Sequence, residues 1–379
     1  MPLDPVTGPL DLLHVHSGNL FGGVERMLQT LATANPVPVS SRFALCFEGD
    51  TAATLARAGA RLDWLGPVQI RRPDQVIRAR WRLRGLLKQS RPDAVIVHSS
   101  WSQAIFGSTV LSAGIPFVRW LHAPEPGPAL LERWAWRARP HRVLCNSAYT
   151  LAASRSLVGN VPAEVCYPPA RPPAATTSRP DVRRQIGTPE ARCVVLLAAR
   201  PEPWKGHRRL IAALSTLPTL DWEAWIVGGP QRPSEREYME RLREQATSAG
   251  ISTRIRFLGQ RDDLSSLLAA ADIYCQPNEG PEPFGLSVVE AMASGLPVVG
   301  SSAGATPEIV DETCGILVPL DDEAALALAL ARLIVDGELR QTMGQAAHRA
   351  SRRFTDLPGS MSALAGSVSK ALDRTISTP

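Results

Sequence analysis

Apolar residues along this chain come in short uninterrupted runs, separated by stretches in which they recur every three to four positions. In the first half the runs predict strands at 12–16, 42–47, 61–65, 94–98, 117–121 and 143–146, with helices between them such as 24–34 and 75–89. Runs that are apolar throughout, each followed by a helix, argue for a parallel sheet covered on both faces. Residues 167–180 break this pattern with five prolines and read as an extended linker. The alternation then restarts. It predicts strands at 193–198, 222–227, 255–258, 273–276 and 297–300, and helices at 206–216, 235–249, 264–270, 286–294 and 323–335. The class is α/β, with two Rossmann-like, doubly wound parallel-sheet domains. Right-handed crossovers place ligands of such domains at the C-terminal ends of the strands.

Composition narrows the picture. A chain of 379 residues with 44% hydrophobic content can build two ordinary domains. It has no run of about 18 uncharged apolar residues, so no transmembrane helix is expected. Residues 1–13 carry acidic residues and no basic cluster, unlike a secretory signal. Six cysteines are scattered singly, mostly in apolar runs. They read as reduced core residues of a cytoplasmic protein and not as staples or metal ligands. The net charge of +5, mostly from arginine, fits an anionic substrate or surface. No basic and aromatic stripe matches a nucleic-acid-reading module, so nucleic acid is not an expected partner.

The strongest candidate chemistry lies between Glu282 and Glu290. Eight residues is just over two helical turns, which puts the second carboxylate about one face-width from the first. Phe284, Gly285 and Leu286 stand where the helix opens, with free N–H groups and a positive dipole end. An anion site with a carboxylate on each side suits phosphate at the amides, ribose at Glu290 and a sugar at Glu282. Two glutamates on a helix are ordinarily a solvated face, so the pair needs support. Arg200 and Lys205 supply it: both follow a buried strand and precede a helix, where Arg can grip phosphate bidentately and Lys adds a point charge. No metal-ligating motif accompanies them. Asp262-Asp263 and Asp321-Asp322 stand at helix starts and are expected to cap them.

Glu282-Pro283-Phe284-Gly285 through Glu290, with Ser294-Gly295-Leu296-Pro297-Val298-Val299 beyond it, resembles the Glu-x7-Glu motif of retaining GT-B glycosyltransferases of family 4, the group 1 glycosyltransferases. Arg200 and Lys205-Gly206 resemble that family's diphosphate-binding Arg and Lys, Val227-Gly228-Gly229 its mid-domain strand-to-loop signature, and Phe257-Leu258-Gly259 its base-side loop. The match is tight over 192–320 and looser before it. The resemblance implies a GT-B fold, with two domains facing each other across a cleft. An acceptor-binding domain over 1–170, a linker over 171–180, a nucleotide-sugar domain over 181–355 and a helical tail over 356–379 that crosses back are expected. It further implies retaining, metal-independent hexosyl transfer from a UDP- or GDP-sugar, with UDP slightly favoured, and no cofactor beyond that donor. The acceptor would be a hydroxyl on a glycan, a glycolipid or a small molecule, in polysaccharide or glycolipid assembly.

Carried over residue by residue, the resemblance casts His122, Glu282, Arg200 and Lys205 as catalytic. Gly22, Gly23, Gly228, Phe284, Gly285, Leu286 and Glu290 join Arg200 and Lys205 on the donor. Gly22-Gly23 belongs to the loop 16–25, which resembles the family's Gly-Gly loop toward the donor phosphates. His122 occupies a place comparable to a family histidine beside the transferred sugar. His98 and His16 are further candidates, and Glu125 a weaker one for the acceptor. Glu308 falls in a related Gly–Pro–Glu pattern, but Ala305 stands where the family commonly has a second glycine, a departure at the sugar pocket. Glu282 is expected to orient sugar hydroxyls, with the β-phosphate taking the acceptor proton in front-face attack, and not to act as a nucleophile.

The helix over 75–89 carries an apolar stripe of Val76, Ala79, Leu83, Leu86 and Leu87, and opposite it Ile77, Trp81 and several basic residues. Tryptophan beside arginines suits contact with an anionic membrane surface; a solvated arginine face with Trp81 packed on a loop is the plainer alternative. Other functions remain open on such a fold. An epimerase needs extra carboxylates flanking the sugar. A phosphorylase uses a pyridoxal lysine, and lysine is scarce here. A non-catalytic nucleotide-binding partner would be expected to lack Glu282, Arg200 or Lys205, and all three are present.

Overall fold

The computed structural model describes residues 8–18, 22–34, 38–125, 127 and 129–376. The chain forms two compact units, Met1–Pro169 with Asp356–Pro379, and Ala170–Thr355. In the first, β1 (Leu10–His16), β2 (Val39–Leu45), β3 (Arg61–Trp64), β4 (Ala94–Val97), β5 (Phe117–Leu121), β6 (Arg142–Cys145) and β7 (Ala163–Val165) make a seven-stranded parallel sheet in the order β3-β2-β1-β4-β5-β6-β7. In the second, β8 (Cys193–Ala198), β9 (Trp222–Val227), β10 (Ile255–Gly259), β11 (Ile273–Gln276), β12 (Val298–Ser301) and β13 (Gly315–Val318) run in the order β10-β9-β8-β11-β12-β13, also parallel.

Helices cover both faces of each sheet, which is why the inner strands are buried at every position, as in Ala94–Val97 and Ile273–Gln276. The helix Pro73–Ser90 turns Val76, Ala79, Leu83 and Leu87 into the core and opens on a proline, which is tolerated in a first turn. In each sheet the chain reverses direction of winding once, between β1 and β4 and between β8 and β11. Such switch points leave a crevice at the strand C-termini. The last helix, Leu357–Ile376, packs on β2, β5 and β6, and Lys370 pairs with Glu164 at 2.8 Å. No helix among the described residues is long and apolar enough to cross a membrane.

Several elements lack a sequence signal for a physical reason. The helix Ser100–Ser112 is buried on most of its circumference, so it has no polar face to reveal a period. β7 has only three residues. Ser178 caps the helix Arg179–Ile186, with Pro180 in its first turn, so the expected linker ends two residues earlier than its proline content suggests.

Candidate functional site

The second unit concentrates its polar side chains where β8 and β11 end. β11 finishes at Gln276, and the loop after it carries Asn278 and Glu282 before the helix Leu286–Ala293 begins. Glu282 is 6% exposed. Its Oε2 accepts three hydrogen bonds: from Lys205 Nζ at 2.8 Å, Gln276 Nε2 at 2.8 Å and Asn278 Nδ2 at 2.7 Å. Oε1 has no hydrogen bond among the described residues. Gln276 is itself held, because its amide oxygen accepts from Tyr274 and Ser287, each at 2.8 Å, which fixes the amide with its nitrogen toward Glu282.

The backbone around this carboxylate is tightly clamped. Gly206, just after Lys205, sits at φ +77° with its Cα against the backbone of Pro277; a Cβ there would lie 2.0 Å from the Pro277 oxygen. Gly304, at φ +66°, runs alongside Glu282, and a Cβ would lie 2.3 Å from the Glu282 oxygen. Only glycine satisfies both demands. Ala305 N–H donates to Glu282 O at 2.7 Å, so an alanine backbone suffices where the family's second glycine is absent. Arg209, fully buried and without a carboxylate partner, donates to Pro277 O, Asn278 O, Ser301 Oγ, Pro319 O and Asp322 O at 3.2–3.3 Å. It pins the loop from below.

The other candidates on this unit fall as follows. Arg200, past the end of β8, forks between Glu202 (2.7 Å) and Glu235 (3.1 Å) and does not touch Glu282. Gly228, past β9, donates its N–H to Gly259 O at 2.8 Å. Phe284 is buried, its ring edge-on to Phe354 at 5.6 Å. Gly285 precedes the first helical residue, Leu286, and the N–H groups of these two carry no hydrogen bond among the described residues. Glu290 lies on the same helix, half-buried. Asp322 caps its helix through Ala325 N–H as expected, whereas Asp263 makes no cap and instead grips Arg261 with both oxygens, at 2.8 and 2.7 Å. A fork-to-fork ion pair outcompetes the amides.

In the first unit, histidines gather at the ends of β1, β4 and β5. His98 lies between His14 and His122, 2.9 Å from each. His16 receives the Gly18 N–H at 3.2 Å and faces Glu25 at 3.4 Å. Burial holds His14 down at about 3 and His16 at about 4, and keeps His98 and His122 well below the ordinary range, so all four are neutral at pH 7. Gly22 caps the first helix with extended backbone and Gly23 opens it; Asn19, Leu20 and Phe21 of the same loop lie outside the described residues. Glu125 pairs through Oε1 with the buried Arg119, which anchors its loop, and its Oε2 has no hydrogen-bond partner among the described residues.

Family comparison places both units. Residues 178–350 match the model described as Glycosyl transferases group 1, and residues 21–170 the one described as Glycosyltransferase Family 4. The chain belongs to the family 4, group 1 glycosyltransferases. Among its relatives, D-inositol 3-phosphate glycosyltransferase of Corynebacterium efficiens is 39% identical over 180 residues, 46% of this chain and 42% of that protein. Phosphatidyl-myo-inositol mannosyltransferase of Mycobacterium leprae is 42% identical over 166 residues, 42% of each chain. D-inositol 3-phosphate glycosyltransferase of Salinispora arenicola is 32% identical over 292 residues, 72% of this chain and 62% of that protein. The chain thus spans less than two thirds of the length of these relatives. The crystal structure of Anabaena HepE with UDP and glucose superposes with a TM-score of 0.85 at 24% identity, over 95% of this chain and 100% of that one. The glycosyltransferase from Rickettsia africae gives 0.83 at 18%, over 96% and 99%. These likenesses establish the fold, which is GT-B.

Gln276, Asn278 and Arg209 escaped notice in the sequence. The signal was present for two of them: a polar Gln closing an apolar strand, and an Asn two residues on, four positions before Glu282. Arg209 sits in an amphipathic helix, where a buried arginine has no local mark.

Proposed function

We propose that this protein transfers a hexosyl group from a nucleoside-diphosphate sugar to a hydroxyl acceptor with retention of anomeric configuration. The observation that carries this is the convergence of Lys205, Gln276 and Asn278 on Glu282 Oε2 beside the open amides of Gly285 and Leu286. A departing diphosphate accumulates negative charge, and fixed positive groups that meet it lower the barrier. Lys205 and the helix amides provide such groups, and Arg200 joins them by exchanging a carboxylate for phosphate, so no metal is assigned a part. Gly228 and Glu290 would hold the base side and the ribose. Gly22 and Gly23 would contact the donor through their backbone.

Glu282 acts as a sugar-orienting carboxylate. An oxygen engaged by three donors is a poor nucleophile, and Oε1 is left to accept from a sugar hydroxyl. The acceptor proton then passes to the leaving phosphate on the same face. The structures of Anabaena HepE with UDP favour a UDP donor by analogy of fold. The relatives named for inositol phosphate and phosphatidylinositol favour a hydroxyl-rich or lipid-linked acceptor. Product NMR tests the reading directly: a coupling constant that reports the donor's anomeric configuration is expected, and an inverted product or a glycosyl adduct trapped on Glu282 would overturn it.

A membrane-facing role belongs to the same proposal. Ile77 and Trp81 on the helix Pro73–Ser90 are 66% and 77% exposed, with Trp64 and Ile70 also exposed nearby in sequence. Arg71, Arg84 and Lys88 are exposed too. Arg80 and Arg82 instead bond to carbonyls of the fold. Exposed tryptophan among basic side chains suits the boundary of an anionic bilayer, where a lipid-linked acceptor resides.

A further inference from the structure

His14, His98 and His122 form a buried row. His14 Nδ1 lies 2.9 Å from His98 Nε2, and His98 Nδ1 lies 2.9 Å from His122 Nε2. The rings run end to end with nearly parallel planes, 21° and 17° apart and centroids 5.2 and 5.1 Å apart, with Phe43 beyond His14 at one end and Trp120 against His98 and His122. Each contact needs one N–H and one lone pair. A neutral imidazole has one of each. The three rings therefore satisfy both contacts only when every proton points the same way along the row.

Two orders meet that condition. In one, every ring is protonated on Nδ1 and His122 presents an N–H. In the other, every ring is protonated on Nε2 and His122 presents a lone pair. The inner end separates them. His14 has no exposed surface, and its Nε2 has no partner. The second order leaves a proton there without an acceptor, and orphaned buried N–H groups are the rarer defect. We propose that His98 and His14 are positioning residues that lock His122 into its Nδ1–H form, so that it meets the transferred sugar as a hydrogen-bond donor and not as a base. The role toward the sugar rests on the function proposed above; the locked tautomer does not.

His16 provides an internal contrast. Its Nδ1 accepts from Gly18 N–H at 3.2 Å, so its proton sits on Nε2, toward Glu25. The charged and titratable groups around the row are His16 and Arg119, and both act with burial to keep its rings neutral.

The test is nitrogen NMR of the full chain labelled at its seven histidines, read through two-bond couplings that distinguish protonated from bare ring nitrogens. His14, His98 and His122 are expected as Nδ1–H forms and His16 as Nε2–H. An Nε2–H or doubly protonated His122 at pH 7.5 overturns the proposal. His98→Leu removes the lock and should shift His122 toward Nε2–H, while His98→Gln, which can donate and accept across the same gap, should restore it. If His98→Leu folds and His122 keeps its Nδ1–H form, the proposal fails; if it does not fold, the native tautomers decide. With UDP-glucose or GDP-mannose as donor, His98→Leu should lower kcat on the order of tenfold with little change in KM, the worth of one hydrogen bond. Predicted tautomers without any sugar transfer would leave the row standing and overturn the function. Transfer with the wrong tautomer would do the reverse.

Discussion

Lys205→Met tests whether the Glu282 cluster is energetically real. Lys205 Nζ and Glu282 Oε2 are 2.8 Å apart, with side chains 17% and 8% exposed. A charge-assisted hydrogen bond in such surroundings is worth about 1.5–3 kcal/mol. Stranding a fully buried charge costs more, about 3–5 kcal/mol. Here Gln276 and Asn278 still solvate the oxygen, so about 2 kcal/mol is the expected loss. The cycle of Lys205→Met, Glu282→Gln and the double variant isolates the pair. Thermal unfolding is followed by tryptophan fluorescence of the full chain, in which Trp204, Trp222 and Trp225 report the second unit and the other six of its nine tryptophans the first. Two kcal/mol corresponds to a drop of about 4–8 °C for a unit of this size. A coupling of about 2 kcal/mol is predicted. Additive single variants, with coupling below about 0.5 kcal/mol, would show that the short contact carries no energy and that Lys205 is held by other means.

Gly304→Ala places a Cβ 2.3 Å from the Glu282 backbone at a φ of +66°. It should cost roughly 1–3 kcal/mol of strain and displace Glu282, lowering turnover by at least tenfold; a variant with native melting and turnover would refute the clamp. The buried neutral histidines set a pH dependence. His14 and His16 have folded pKa values of about 3 and 4, below the unfolded value of 6.5, so the unfolded chain binds more protons between those limits. Stability should be full above pH 6.5 and fall as pH drops toward 4, by up to about 1.4 kcal/mol per unit for each histidine. Denaturant titrations across this window should show His14→Phe with a slope shallower by one proton, and an unchanged slope would contradict the assignment. Ile77→Ala with Trp81→Ala should weaken co-sedimentation with vesicles containing phosphatidylserine about tenfold. Arg84→Glu with Lys88→Glu should remove its salt dependence, at about 1 kcal/mol per lost cation. Vesicle binding unaffected by all four changes would exclude this helix as the contact.

Much of the fold was legible because parallel strands buried on both faces read as apolar runs: 117–121, 193–198, 222–227 and 273–276 match the strands residue for residue. What failed to show were elements without contrast, such as the largely buried Ser100–Ser112, and β7 and β13 at sheet edges. At the site, Glu282 and Lys205 stood out by spacing, and the structure brings them together across 77 positions of chain. Arg200 could be named but its environment could not, since Glu202 and Glu235 reach it through a turn and a distant helix start. The histidine row was only half visible. His16, His98 and His122 each mark a strand end, but His14 points into the core from mid-strand, and the pairing of rings depends on a strand order that local pattern does not encode.

A donor site built on Glu282 and Lys205 is tested most directly by a thermal-shift panel of UDP-, GDP- and ADP-sugars, with Lys205→Ala and Glu290→Ala as comparators. A ligand that binds only the folded chain raises its melting temperature. A shift with one nucleoside class, UDP foremost, that is lost in both variants is expected. A shift of equal size in Lys205→Ala, or none with any sugar nucleotide, would contradict a donor site built on Glu282 and Lys205.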